Sequence, residues 1–84
     1  MAPIHFVRLP ALIARRGTSR TSIYRHIQAG TFPTPVYLSA NTTAWPEHEI
    51  SALDRARVAG ASDAVIKKLV AEIVTARAAK QAAA

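Results

Sequence analysis

The chain of 84 residues contains no cysteine and has few glycines and prolines. The absence of cysteine excludes a disulfide framework, thiolate zinc ligands and a thiol nucleophile. With only three glycines and five prolines beside 50% hydrophobic residues, the composition is that of a folded chain rather than a disordered one. A chain of this length has room for one compact core, so we expect a single small domain with at most one accessory helix.

Long apolar runs are also missing. No run approaches the roughly 18 residues that a membrane-spanning helix needs, and the first residues lack the basic start and long apolar centre of a signal peptide. We therefore expect a cytoplasmic protein with no membrane partner.

Groupings typical of catalytic or metal sites are absent as well. The sequence offers no nucleophile with a nearby base, no carboxylate pair and no phosphate-cradling loop, so we expect no enzyme activity and no cofactor. Glu47, His48 and Glu49 are adjacent, and neighbours on a helix splay by about 100°, so they cannot converge on one metal ion. His5 and His26 have no partner at metal-ligand spacing, so we expect no metal site.

Acidic residues are missing from the first half of the chain. Residues 1–46 hold five arginines and no acid, whereas six basic residues face five acidic ones from residue 47 onward, and the formal net charge is +6. Positive charge without compensating acids favours a polyanionic partner, which we expect the first half to meet. A uniformly solvated basic surface is the alternative.

Residues 9–29 carry the signals of two short helices. Pro10 suits a first helical turn, Gly17 can end that helix in a left-handed conformation, and Ser19 is a good N-cap for a second helix over residues 20–29. Two helices joined by so tight a turn cross steeply, which is the geometry of a DNA-binding helix-turn-helix.

The second helix is the predicted recognition helix. With Ile23 and Ile27 facing the core, its polar side chains point to solvent or lie in the exposed first turn. Guanidinium groups can grip a guanine edge or a phosphate, and hydroxyls and amides can anchor the backbone. The predicted contacts to double-stranded DNA are Ser19, Arg20, Thr21, Ser22, Tyr24, Arg25 and Gln28. Alternatively, Arg20 and Arg25 are ordinary solvated charges.

Two β-prone segments, residues 36–38 and 42–45, follow a proline-containing stretch and predict a two-stranded hairpin. The hairpin is a candidate wing, and Asn41 and Thr42 near its tip are further predicted DNA contacts. It can also cover the core, and both roles are compatible. The apolar side chains that would then be buried are Phe32, Val36, Leu38 and Trp45.

Two more helices are predicted, one opened by Pro46 and one capped by Ser62. The apolar residues of the last helix spread over about half of its circumference, and a large uncovered apolar face marks a partner surface. We therefore predict a homo-oligomer, a dimer or higher, through this helix; packing against the third helix is the alternative. The predicted interface residues are Val65, Ile66, Leu69, Val70, Ile73 and Val74.

The predicted fold is mostly α-helical with a small β-hairpin: a winged helix-turn-helix over residues 1–58 and an extra C-terminal helix over residues 62–80. Residues 81–84 are predicted to fray, because they offer no apolar stripe.

Four segments in order resemble the AlpA-like phage regulatory proteins, whose fold is related to the MerR-type DNA-binding domain and to phage excisionases. The segments are residues 8–10 (RLP), 17–25 (GTSRTSIYR), 30–36 (GTFPTPV) and 44–50 (AWPEHEI), and the likeness covers residues 7 to about 57. The resemblance implies that the hairpin of residues 36–45 is a wing that reaches the neighbouring groove or the DNA backbone. It also implies that the recognition helix contacts DNA through Arg20, Thr21, Ser22, Tyr24 and Arg25. This chain departs from the family pattern in two places. The family usually has an apolar residue where this chain has Thr18, and it often has glycine and basic residues in the wing, whereas residues 39–43 (SANTT) contain neither.

The resemblance implies a transcriptional regulator of a prophage or other mobile element, acting on double-stranded DNA in the bacterial cytoplasm at the nucleoid. A recombinase or RNA polymerase is a further implied partner. One alternative is an excisionase-like architectural factor that bends attachment-site DNA. An alternative of another class is a protein-interaction adaptor that uses the helix of residues 62–74.

Overall fold

The computed structural model describes the backbone of residues 3–83 and the side chains of residues 3–78. Its elements, in chain order, are β1 (Phe6–Arg8), α1 (Leu9–Arg16), α2 (Arg20–Ala29), β2 (Val36–Ser39), β3 (Thr42–Pro46), α3 (Glu47–Val58) and α4 (Asp63–Ala83). The mostly α-helical fold with a small β-hairpin is confirmed. None of the helices in residues 3–83 combines the length and apolarity that a membrane crossing requires.

The predicted hairpin is present as β2 and β3, and the sheet has a third strand, β1, that the sequence did not predict. β3 lies in the centre with β1 on one side and β2 on the other, and both pairs are antiparallel. The missed strand β1 has three residues and finds its partner far along the chain, where Phe6 faces Pro46. Pairing over that distance leaves no local signal in so short a segment.

The turn between α1 and α2 has the predicted chemistry. Gly17 ends α1 with φ 61°, a left-handed conformation that glycine adopts without the steric cost of a Cβ atom. Ser19, two residues after Gly17, caps α2: its Oγ accepts a hydrogen bond from the backbone N–H of Ser22 over 3.1 Å. Because both signals are local, the sequence predicts this turn well.

One core receives a side chain from each of the four helices and from β3. Trp45 of β3 is fully buried, its ring lies 5.8 Å from that of Phe32, and its indole N–H donates to the carbonyl oxygen of Pro33 over 2.8 Å. The buried members of this core are Leu12, Ile23, Phe32, Trp45, Ile50, Leu53, Ile66 and Val70. The predicted burial of Phe32 and Trp45 is confirmed, whereas that of Leu38 is wrong, since Leu38 is 46% exposed.

The boundaries of the last two helices differ slightly from the prediction. Pro46 precedes α3 as its N-cap and ends β3, so α3 begins at Glu47. The N–H of Val65 donates to Ser62 Oγ over 3.3 Å, which confirms the predicted cap of α4. α4 extends through Ala83, and residue 84 lies outside the described residues, so the frayed end stays a prediction.

Arg77 joins the second half of α4 to the rest of the fold through three hydrogen bonds. Arg77 Nε and Nη2 donate to the two carboxylate oxygens of Glu49 in α3, at 2.9 and 2.5 Å. Its Nη1 donates to the carbonyl oxygen of Thr34, which lies between α2 and β2, at 2.9 Å. Glu49 is only 5% exposed, so this pair ties α4 to α3 and to the approach of the hairpin from inside the protein.

Candidate nucleic-acid interface

The helix α2 buries one side and exposes the other as the spacing of its isoleucines predicts. Ile23 is 2% exposed and Ile27 is partly buried against the core. On the outer side, the side chains of Arg20, Thr21, Arg25 and Gln28 are all exposed. A helix with this polar outer surface can enter the major groove of DNA, where recognition helices read base edges.

The first turns of α2 hold their polar groups in a defined arrangement. The Ser19 hydroxyl donates to Ser22 Oγ over 3.1 Å, in addition to accepting the capping bond. The guanidinium carbon of Arg20 lies 6.0 Å from the centre of the Tyr24 ring, one turn further along the helix. A cation held over an aromatic ring is favourably placed, so Tyr24 helps to orient Arg20 before any partner binds.

The arginines of the acid-free half are not all available to a polyanion. Arg15 binds the carboxylate of Glu47, and Arg16 Nη1 lies 2.7 Å from Asp54 Oδ1. Arg16 also lies over the Phe32 ring, 5.1 Å from its centre. The fold therefore places two acidic residues of α3 against the end of α1. Counting charges separately in the two halves of the sequence could not show that these acids compensate Arg15 and Arg16.

The pair of Arg15 and Glu47 is a closed ion pair at neutral pH. The hydrogen bond from Arg15 holds the pKa of Glu47 below its ordinary value, and the same bond raises the pKa of Arg15. Both groups thus stay charged and satisfy each other, which leaves little of the Arg15 charge for an external anion.

Three arginines of the first half remain without a salt bridge in the part of the chain that the structure describes: Arg8, Arg20 and Arg25. Two of them were predicted as DNA contacts and are carried by α2. Arg8 was not predicted. It is exposed at the junction of β1 and α1, where β1 pairs with the central strand of the sheet. The sequence feature that could have identified Arg8 as a candidate contact is that it is a basic residue in the half of the chain that has no acids.

The tip of the hairpin carries the last two predicted contacts. Asn41 is exposed in the turn and Thr42 is half-buried at the start of β3. Residues 39–43 contain no charged side chain, so the tip can offer an amide and hydroxyls but no cation to a phosphate. Contact of these residues with DNA stays a prediction.

The six apolar residues predicted for oligomerisation do not share one exposed face. Ile66 is 1% exposed and Val70 is 7% exposed, because both pack into the core of their own chain. The structure therefore removes these two from a partner surface. Leu69 and Ile73 are partly buried against the same core, and Val65 and Val74 are 53% and 39% exposed. Oligomerisation through α4, and the use of this helix by an adaptor, stay predictions for the exposed members only.

The three adjacent residues at the start of α3 turn away from one another. Glu47 binds Arg15 and Glu49 binds Arg77, while His48 is exposed. Within the described side chains, no three histidine or acidic residues are grouped as metal ligands.

Comparison with known proteins agrees with this arrangement. Residues 5–53, which include α1, α2, the hairpin and half of α3, match the protein family described as prophage CP4-57 regulatory protein (AlpA). The chain is 38% identical over 55 residues to the uncharacterized protein ORF88 of Enterobacteria phage P4. The aligned region covers 66% of this chain and 62% of that relative. No solved structure matches the chain. The resemblance drawn from the four sequence segments is confirmed, and α4 lies outside the matched region. The chain belongs to the prophage CP4-57 regulatory protein (AlpA) family.

Proposed function

We propose that this prophage regulatory protein is a transcriptional regulator that binds double-stranded DNA in a sequence-specific manner, with α2 in the major groove. The observation that carries the proposal is the difference between the arginines. Arg15 and Arg16 are neutralised by acids of α3, whereas Arg20 and Arg25, on the outer side of α2 among hydroxyl and amide groups, form no salt bridge with any described side chain.

This surface has the two kinds of groups that a DNA reader needs. The unpaired guanidinium groups can bind a guanine edge through two hydrogen bonds, or bind a phosphate. Thr21 and Gln28 on the same side of the helix add a hydroxyl and an amide for bases or backbone. Because no acid lies among residues 1–46, nothing in this sequence region repels the phosphates. The net charge of +6 adds a long-range attraction that brings the protein to DNA.

The test is to select protein-bound duplexes from a pool of random sequences and then to titrate the most enriched duplex in a gel-shift assay. We expect enrichment of one short motif, because a single recognition helix reads only a few base pairs. We also expect log affinity to fall against log salt concentration with a slope of about −3 if Arg8, Arg20 and Arg25 each neutralise one phosphate. A pool that stays random after repeated rounds, with equal affinity for all duplexes, would contradict sequence-specific binding.

A reporter experiment tests the regulatory part of the proposal. The selected motif, placed next to a promoter, should change expression when the protein is supplied, and a scrambled motif of equal composition serves as the control. Strong bending of the selected site without any change in transcription would instead favour an excisionase-like architectural function.

A further inference from the structure

A polar pocket lies between the turn that joins α1 to α2 and the junction of α3 with α4. Its volume is about 400 Å³. None of its described lining residues is a predicted DNA contact, so the pocket is separate from the proposed DNA-reading surface. The polar side chains that line it are Arg16, Thr18, His26, Thr31, Arg57 and Asp63.

Two arginines from distant parts of the chain meet at this pocket. Arg16 comes from the last turn of α1 and Arg57 from the last turn of α3. Asp63 is the one acid in the described lining. A guanidinium group keeps its charge and carries five N–H donors in a planar fork, which suits carboxylate and phosphate groups. The lining therefore favours an anion.

Arg16 is oriented from outside the pocket. Its Nη1 donates to Asp54 Oδ1 over 2.7 Å, and its guanidinium carbon lies 5.1 Å from the centre of the Phe32 ring. Asp54 compensates the charge of Arg16 but is not part of the pocket lining. Because the bond to Asp54 uses one of five N–H donors, Arg16 can still donate to a ligand that enters the pocket.

Arg57 is closed only by an exposed ion pair. Its Nη1 lies 3.0 Å from Asp63 Oδ1, and the two side chains are 41% and 76% exposed. Ion pairs between exposed side chains add little stability, so a stronger anion can replace the Asp63 carboxylate at small cost. A phosphate group is such an anion, since it carries up to two negative charges and three acceptor oxygens.

The rest of the lining also suits a phosphate monoester. Thr18 and Thr31 add hydroxyl groups, which commonly bind phosphate oxygens. The pocket is larger than one anion needs, because a water molecule takes only about 30 Å³ in the liquid. Ile23 and Phe32 form an apolar part of the lining for the remainder of a ligand.

The phosphates of DNA share this chemistry, but α2 directs them to its other side. Ile23 lines the pocket, and at about 100° per residue Arg25 lies about 200° further around the helix. A duplex read by the outer side of α2 is therefore remote from the pocket.

We propose that the pocket binds the phosphate group of a small, free phosphate monoester. Arg16 and Arg57 donate to the phosphate oxygens, and the ligand displaces Asp63 from Arg57. The site goes beyond the proposed function and does not depend on it, because none of its lining residues belongs to the DNA-reading surface.

The test is a nuclear magnetic resonance titration of the isotope-labelled full chain with glycerol 3-phosphate, without DNA and at constant ionic strength. We expect a saturable shift of the Arg16 and Arg57 side-chain signals. Arg57→Gln should weaken binding by about tenfold or more, because it removes a charge-assisted contact. Asp63→Asn should tighten binding by about threefold, because it removes the competing carboxylate. Both residues are exposed, so both variants should fold.

Arg55→Gln is the matched control. It removes the same charge from an exposed position of α3 that does not line the pocket, and it should bind the monoester like the wild type. The proposal is overturned if neither arginine signal shifts up to tens of millimolar ligand, or if Arg55→Gln weakens binding as much as Arg57→Gln.

A second titration, with a duplex of random sequence, identifies the source of the phosphate. The Arg57 signal should not respond to the duplex. A shift with the duplex but none with glycerol 3-phosphate would assign the pocket to the DNA backbone and overturn the proposal. Absence of sequence-specific DNA binding, with monoester binding intact, would instead count against the proposed function alone.

Discussion

A chain in which Arg20 and Arg25 are both replaced by alanine is expected to bind its selected duplex at least ~30-fold more weakly than the wild type. Each arginine that grips a guanine or a phosphate contributes about 1–3 kcal/mol, and two such losses correspond to at least that factor. Both side chains are exposed and make no salt bridge among the described residues, so their removal should leave the fold intact.

The single variants separate two kinds of contact. An arginine that reads a base should, when replaced, relax the preference at one position of the motif. An arginine that binds a phosphate should weaken all duplexes alike and reduce the salt slope by about 1. The measurement is a gel-shift titration at several salt concentrations with the selected and a scrambled duplex.

Arg55→Ala combined with Lys68→Ala is the matched control. It removes the same amount of charge from two exposed positions on α3 and α4. We expect a much smaller loss of affinity for this pair, without a change in motif. Equal losses for the two double variants would mean that only net charge brings the protein to DNA.

The second large effect concerns the buried ion pair. Arg77→Met is expected to lower the free energy of unfolding by about 3–5 kcal/mol, because the carboxylate of Glu49 would remain buried without a cation. Glu49 is 5% exposed and receives two hydrogen bonds from Arg77, and Thr34 would lose a third. Urea denaturation followed by circular dichroism measures the change, provided that the denaturant slope is unaltered.

A double variant distinguishes the loss of the pair from the loss of a side chain. Glu49→Met together with Arg77→Met removes both charges, and it should be more stable than Arg77→Met alone. Lys68→Met, which removes an exposed cation from the same helix, should change stability by no more than about 0.5 kcal/mol. A cost of Arg77→Met as small as that of Lys68→Met would show that the buried pair does not fix α4.

The predictable parts of this protein are those with a local cause. Gly17 and Ser19 define the turn between α1 and α2 by their own backbone and side-chain chemistry, and the spacing of Ile23 and Ile27 orients α2. The outer side of α2 could therefore be predicted residue by residue.

The parts that escaped prediction depend on contacts between distant residues. Arg15 lies 32 positions before Glu47, so only the folded chain shows that its charge is compensated. The strand β1 likewise exists because β3 is beside it. For α4, six apolar residues over half of the circumference could not show that Ile66 and Val70 face inward, because that direction depends on the core formed by the rest of the chain.

The most direct test of the central claim is a nuclear magnetic resonance titration of the isotope-labelled chain with its selected duplex. We predict that the largest changes in amide and arginine side-chain signals fall on residues 19–28, with Arg8 also affected, while Ile73 and Ala76 of α4 change little on DNA addition. Largest changes on α4, with residues 19–28 unaffected, would contradict the assignment of α2 as the DNA-reading helix.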